Sequence, residues 1–207
     1  MTLRLWGYNG SGNVQKVLWA LEELGLPFEY TSAGGKFGRV KDADYLALNP
    51  NGLVPTLEDG PLALWESNAI VRYLYAKYGK APDYPEDLGE RGRAESFHDW
   101  YAGTLWSPIR TQLFQLARTP EAERDPKLIE QSKTASLAAL AILERELGKH
   151  PYVAGRHFTY GDIPIGKALQ RWFVTPLADR PHFPNVEAYY ARLAERPGFK
   201  KHITFPI

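Results

Sequence analysis

The spacing of apolar residues changes period several times along this chain, and each change marks an element. Residues 3–8, LRLWGY, form a short apolar run ended by the turn residues Asn9 and Gly10, the pattern of a buried strand. From Asn13 the period lengthens. Val14, Val17, Leu18, Leu21 and Leu24 recur at helical spacing, with Gln15, Lys16, Glu22 and Glu23 assigned to the opposite face. Gly25 is placed to cap this helix and Pro27 to prevent its continuation. FEYTSA at 28–33 reads as a second strand, so the opening is a β-α-β unit with parallel strands and a right-handed crossover.

After a glycine-rich loop at 34–38, a short helix is expected over 42–48 and is broken by NPNG. VPTLE and PLALW flank Asp59-Gly60 as a hairpin. Glu66 and Ser67 then open a helix that runs to Tyr78 and stops at Gly79. Residues 81–87, rich in Pro and Asp, read as a linker, and beyond it the strand signals disappear. Helical periodicity covers about 88–117, 126–147, 160–177 and 186–195. In FTYGDI, Thr159 is an N-cap with Asp162 three residues on, a variant of the capping box, and Phe158 and Ile163 occupy the hydrophobic-staple positions. Pro164 removes an intrahelical bond there, and a bend is expected. The expected organisation is an α/β domain over 1–80 (βαβ-ββα), the linker, and an all-α domain over 88–207.

Composition narrows the function classes. The 207 residues are 44% hydrophobic and 13% aromatic, enough for a substantial core. Lys and Arg number 25 against 24 Asp and Glu, so neither nucleic acid nor an anionic membrane is suggested as a partner. The absence of cysteine removes disulfides, thiolate metal sites, CxxC redox chemistry and a Cys nucleophile together. The five histidines show no metal-ligand spacing and read as structural, so no metal is expected. The opening MTLRLWGYNG has no basic segment followed by an apolar core, no apolar run is long enough to span a bilayer, and a cytoplasmic protein is expected.

The stretch NGSGNVQK, 9–16, lies between the first strand and first helix. Ser, Asn and Gly at such a junction present hydroxyls and backbone amides to a ligand, and those amides favour an anion. Glu66-Ser67 opens a second helix in the same manner, capping it and offering it to an anion.

Four segments together resemble the glutathione S-transferase family: SGNVQKVLWALEELGLPFE at 11–29, NPNGLVPTLEDG at 49–60, WESNAIVRYLYAKYG at 65–79 and VAGRHFTYGDI at 153–163. They cover most of the chain in the family's order and spacing, and the first loop is similar to the bacterial members that carry Ser and Asn there. The resemblance implies a thioredoxin-like domain beside a helical one, transferase activity of a detoxifying kind, a two-fold homodimer, and no cofactor beyond glutathione as co-substrate. A glutathione-binding protein without turnover, and a glutathione-dependent isomerase or dehalogenase, share the same contacts.

The resemblance also implies roles. Pro55 is the position of a cis-proline that turns the Val54 backbone toward a peptide ligand. Glu66 and Ser67 receive the ammonium and carboxylate of a γ-glutamyl group. The glycyl carboxylate falls to a basic residue among Lys36, Arg39 and Lys41, with the Val40-Lys41 stretch preferred. A free thiol titrates near 8.5. Lowering it by about two units takes about 2.7 kcal/mol of preferential thiolate stabilisation. One or two hydrogen bonds to a charged acceptor, about 1.5–3 kcal/mol each, supply that. Ser11 ranks first as donor, Asn13 next and also a glutathione contact, Tyr8 third. A small hydrophobic electrophile is expected between the first loop and the long helix after the linker, against Tyr8, Trp100, Tyr101, Trp106 and Arg110, with Trp172 and Phe173 from a later helix.

Overall fold

A computed structural model describes residues 2–203. The described residues divide into two compact units, 2–80 with 196–203, and 81–195.

In the first unit, β1 (Leu3–Gly7), α1 (Gly12–Glu23) and β2 (Phe28–Ser32) form the β-α-β unit, with α2 (Ala43–Leu48), β3 (Thr56–Asp59), β4 (Leu62–Trp65) and α3 (Ser67–Tyr78) following. The sheet order is β2-β1-β3-β4. β1 runs parallel to β2 and antiparallel to β3, with Leu5 opposite both Tyr30 and Leu57. α1 ends as its sequence predicts. Gly25 takes φ 62°, its N–H donates to Glu22 O, and Leu26 N–H reaches Leu21 O, which closes a Schellman motif.

One face of α1 departs from the expectation. Gln15 and Lys16, assigned to the polar side, are 0% and 2% exposed, because α3 and a C-terminal helix cover α1 on the sides the sheet leaves open. Each polar tip then needs a partner. Gln15 Nε2 donates to Asn9 O at 2.6 Å, and Lys16 Nζ to Asn68 Oδ1 at 2.8 Å. The C-terminal helix is α9 (Pro197–His202), where the periodicity marks no element. It docks on α1 through Trp19 against Phe199, ring centroids 5.1 Å apart, and through Arg196 to Glu23 and Lys201 to Glu22, each 2.7 Å.

The second unit holds α4 (Leu88–Trp100), α5 (Trp106–Leu113), α6 (Pro126–Leu147), α7 (Asp162–Val174) and α8 (Pro184–Ala194). The predicted helix over 88–117 is a run interrupted by two wide π turns, Tyr101–Leu105 and Phe114–Arg118. α7 is the core of this unit, and every residue from Asp162 to Trp172 is buried. Its start is held by the Asp162 carboxylate, which accepts from Thr159 N–H at 2.7 Å, Val153 N–H at 3.1 Å and the Tyr189 hydroxyl at 2.7 Å. Burial pushes Asp162 up to about 6 against the pull of these donors. The Thr159 hydroxyl accepts from Gly161 N–H, so the box closes one residue earlier than the sequence pattern implies. Because α7 begins at Asp162 and not at 160, Pro164 lies in the first turn. Backbone N–H groups there have no intrahelical acceptor, so no bond is lost and the reason for a bend disappears.

Candidate functional site

The first unit gathers its chemistry where two helices begin and one peptide bond is cis. At the start of α1, Ser11 is the N-cap, in extended backbone (φ −82°, ψ 118°), and its Oγ accepts a long 3.5 Å bond from Val14 N–H. The hydroxyl proton therefore stays available to a second acceptor. Ser11 N–H donates to Tyr8 O, and Gln15 and Tyr30 hold Asn9 from two sides, at its carbonyl and its side-chain oxygen. Gly7 is needed beneath this loop, since a Cβ there would lie 2.6 Å from a Val14 methyl.

A narrow cleft is lined by Asn13 from α1, by Asn49, Asn51, Leu53, Val54 and Pro55 from the loop before β3, and by Trp65, Glu66 and Ser67. The Val54–Pro55 peptide is cis. Glu66 takes φ 68°, the left-handed region unusual for a residue with a Cβ. Its carbonyl accepts Ile70 N–H and starts α3. Ser67 is buried within the first turn, while Glu66 and Asn13 are exposed.

The loop before β3 is braced from below by residues the sequence reading passed over. Asn49, 2% exposed, donates through Nδ2 to Leu53 O at 2.8 Å and to Thr56 Oγ1 at 3.1 Å, and its Oδ1 accepts from Asn51 N–H at 3.1 Å. The buried Tyr45 hydroxyl meets the same two oxygens at 2.6 and 2.8 Å. Tyr45 is part of a small core with Trp6 and Ala33, against which Val40, Leu48 and Val54 pack. Lys16 lies under the start of α3, bonded to Asn68 two residues beyond Glu66. Burial brings it down to about 7 against the pull of Glu66. Helical periodicity gives no sign that this lysine is internal.

The three basic candidates separate. Gly52 (φ 60°) leaves room for Val40 O and Lys41 Nζ, which a Cβ would approach to 2.8 and 2.9 Å, so Val40 and Lys41 adjoin the cleft loop. Arg39 is paired with Asp44 at 2.9 Å and stacks over Trp6. Lys36 lies with Tyr8, Asn9, Gly10, Tyr30, Ser32 and Phe37 around a second hollow of about 610 Å³. Tyr8 lines that hollow, packed on the Gly34-Gly35 backbone.

The aromatic candidates of the second unit do not line one hollow. Trp100 borders a depression with Ser96, Phe97, Ile142 and Glu146. Tyr101 is buried and stacks on Trp106, with centroids 5.9 Å apart. Arg110 lies over the Phe114 ring. Trp172 is in the core, 1% exposed, with Arg180 over its ring, and Phe173 packs on Tyr190. No cluster of three His, Asp or Glu residues able to hold a metal occurs among the described residues. No helix of the described residues is long and apolar enough to cross a membrane.

Two family models match the chain: glutathione S-transferase, N-terminal domain, over residues 1–76, and glutathione S-transferase, C-terminal domain, over residues 105–197. A curated relative, the glutathione S-transferase GstB of Escherichia coli K12, is 44% identical over 207 residues, covering 99% of both chains. Glutathione S-transferase 3 of Zea mays is 31% identical, covering 97% of this chain and 93% of its own. Among solved structures, a theta class glutathione S-transferase from Xanthomonas axonopodis pv. citri with glutathione bound superposes with a TM-score of 0.92 at 42% identity, covering 99% of this chain and 98% of its own. With a four-stranded mixed sheet carrying the cleft in one unit and an all-helical second unit, the chain belongs to the glutathione S-transferase family.

Proposed function

We propose that this chain conjugates the thiolate of glutathione to small electrophiles, and that the narrow cleft holds the tripeptide. The observation that carries this reading is the convergence, in one unit, of a cis-peptide loop with the starts of α1 and α3. Each matches one part of glutathione. The amides opening α3 and the Ser67 hydroxyl receive the γ-glutamyl carboxylate, and Glu66 its ammonium. The Val54 N–H and C=O, which make no hydrogen bond among the described residues, pair with the cysteinyl backbone. Lys41, beside Gly52, neutralises the glycyl carboxylate. The sulfur then faces Ser11 and Asn13 at the start of α1, whose hydroxyl, amide and helix amides stabilise the thiolate. The thiol proton leaves to solvent. The sulfur lone pair attacks the electrophilic carbon, and a leaving group departs or a strained ring opens. The hollow lined by Tyr8 and Phe37 offers the acceptor an apolar wall.

The active form in this reading is a cytoplasmic two-fold homodimer, to which exposed Leu53, Leu62 and Trp65 offer apolar area on the first unit. Its sedimentation should give twice the chain mass.

Single substitutions separate binding from activation. Ser11→Ala should raise the pKa of bound glutathione, read from thiolate absorbance and from the pH dependence of kcat/KM, with little change in affinity. Asn13→Ala should act likewise, and the double variant non-additively. Glu66→Ala should weaken glutathione binding itself, by about 1.5–3 kcal/mol for a lost charged contact. If neither Ser11→Ala nor Asn13→Ala moves the thiol pKa, the activating group lies elsewhere. If the wild type shows no rise in melting temperature with millimolar glutathione, the ligand is wrong.

A further inference from the structure

The hollow beside the first loop has three aromatic walls and one charge. Tyr8, Tyr30 and Phe37 line its space of about 610 Å³, and Lys36 is the one charged residue among its lining side chains. Such a volume is in the range of small-molecule sites, about 300–1,000 Å³. The walls are held from behind. The turn Gly35–Phe37 closes through Phe37 N–H to Gly34 O at 3.0 Å, and a Cβ on Gly35 would stand 3.0 Å from the Tyr8 ring. The Tyr30 hydroxyl is tied to Asn9 Oδ1 at 3.0 Å. Burial pushes Tyr30 up to about 12, so its hydroxyl adds no negative charge at neutral pH.

Lys36 is uncommitted. Among the described residues it makes no ion pair, and its Nζ stands 5.3 Å from the Phe37 ring centroid. Nearby carboxylates are taken by other cations: Glu29 by Arg4 at 2.9 Å, and Asp42 and Asp44 by Arg39 at 3.6 and 2.9 Å. Among the described residues no carboxylate lines the hollow. An anion entering it therefore meets one positive charge and no negative one, while a flat ring finds aromatic faces to pack on.

We infer that this hollow selects aromatic electrophiles carrying an anionic group, a ring carboxylate or sulfonate, and that Lys36 sets the preference. The selectivity rests on the conjugation proposed above for the same protein. Gly10 lines the hollow and Ser11 follows it, so the rim is one peptide unit, about 3.8 Å between Cα atoms, from the proposed thiolate donor. An acceptor with its anionic group at Lys36 and its reacting carbon at the Gly10 end brings that carbon to the side of the loop where the sulfur is held. For an aryl halide the step is substitution. The C–S bond forms, the C–halogen bond breaks, and halide leaves with that bond's electron pair.

Two acceptors of the same ring and leaving group read the preference: 4-chloro-3-nitrobenzoate, an anion, and 4-chloro-3-nitrobenzamide, which is neutral. Their intrinsic reactivities differ, so the quantity compared between variants is the ratio of their kcat/KM values. Lys36→Gln should lower the benzoate-to-benzamide ratio at least about threefold, and Lys36→Glu at least about tenfold. Added salt should bring the wild-type ratio toward that of Lys36→Gln. A loss of folding, of glutathione affinity or of thiol activation cancels in the ratio, as would a contact of Lys36 with the glycyl carboxylate. A ratio that both substitutions leave unchanged overturns the inference while conjugation stands. If the wild type conjugates neither acceptor, calorimetry with 3-nitrobenzoate, which has no leaving group, reads the hollow alone. Saturable binding that Lys36→Gln weakens at least about threefold then supports the anion site, and its absence overturns it. The effect of glutathione on the melting temperature tests the proposed function separately.

Discussion

Asn49 braces the cleft loop through both ends of its side-chain amide, and the two ends can be tested separately. Its Nδ2 donates to Leu53 O at 2.8 Å and Thr56 Oγ1 at 3.1 Å, and its Oδ1 accepts from Asn51 N–H at 3.1 Å. Asn49→Ala removes these three bonds and a fourth, donated by Asn51 Nδ2 to Asn49 Oδ1 at 3.3 Å. It does not orphan Leu53 O or Thr56 Oγ1, because the Tyr45 hydroxyl stays within 2.6 and 2.8 Å of them. The expected cost is about 2–3 kcal/mol: two buried bonds at about 1 kcal/mol each, plus a small void. Asn49→Asp keeps the volume but turns an oxygen toward two oxygens. As an ion it should cost about 4 kcal/mol or more, from lost donors and a buried, poorly paired charge. Part of that should return at low pH, where the protonated acid can donate. Tyr45→Phe combined with Asn49→Ala strips both acceptors of every side-chain donor, so the pair should exceed the sum of the singles by about 1–2 kcal/mol. Urea unfolding gives the stabilities, and a glutathione titration of the same variants shows whether the loosened Leu53-Val54 segment binds more weakly. An Asn49→Asp protein as stable as Asn49→Ala at neutral pH would refute the reasoning, because the amide would then not be acting as a donor.

Three further outcomes follow from packing and charge. Asp59 accepts from Lys77 at 2.6 Å, Tyr78 at 2.6 Å and Tyr73 at 2.7 Å. Burial alone would raise its pKa, but these donors outweigh burial and hold it at about 2. A depressed carboxylate stabilises the fold above its unfolded pKa, near 4, and the gain is lost as pH falls toward 2. Discounted for the partly exposed Lys77, it is about 1–2 kcal/mol. The difference in urea midpoint between wild type and Asp59→Asn should therefore shrink across that window. Gly198→Ala would put a Cβ 2.4 Å from Trp19 Cδ1 and should cost about 1–3 kcal/mol. Gly92→Ala, on the exposed face of α4 with nothing within 4 Å, should instead gain about 0.4–1 kcal/mol. Urea unfolding checks both, and a shared sign would contradict the packing argument.

The order of elements was legible because local signals agreed with the tertiary result. Gly25 with Pro27, Asp59-Gly60 and Glu66-Ser67 each punctuate a change of period, and β1 to α3 fall within two residues of the expected bounds. The signals failed where a neighbour distant in sequence decides the environment. Gln15 and Lys16 follow a polar pattern, yet α3 and α9 bury them. α9 is six residues long and opens with Pro197-Gly198, too short for periodicity to register. The π turn at 101–105 keeps the chain helical while shifting its phase, so regular helical spacing does not give the faces on which Trp100 and the residues after Leu105 lie.

The cleft shows the same division. Asn13, Val54, Pro55, Glu66 and Ser67 could be proposed from the sequence because each stands at a start, a stop or an X-Pro bond, places where backbone groups lack a regular partner. Asn49 and Tyr45, which brace that loop, could not, since a buried Tyr in the six-residue α2 and a buried Asn at its end have no spacing of their own. The absence of cysteine is informative for a related reason. Glutathione brings its own sulfur, so the protein has only to stabilise the charge, and hydroxyls, amides and helix starts are sufficient for that. A sequence reader can find such residues only where the chain changes direction, and here the candidate donors Ser11 and Asn13 flank the first residue of α1.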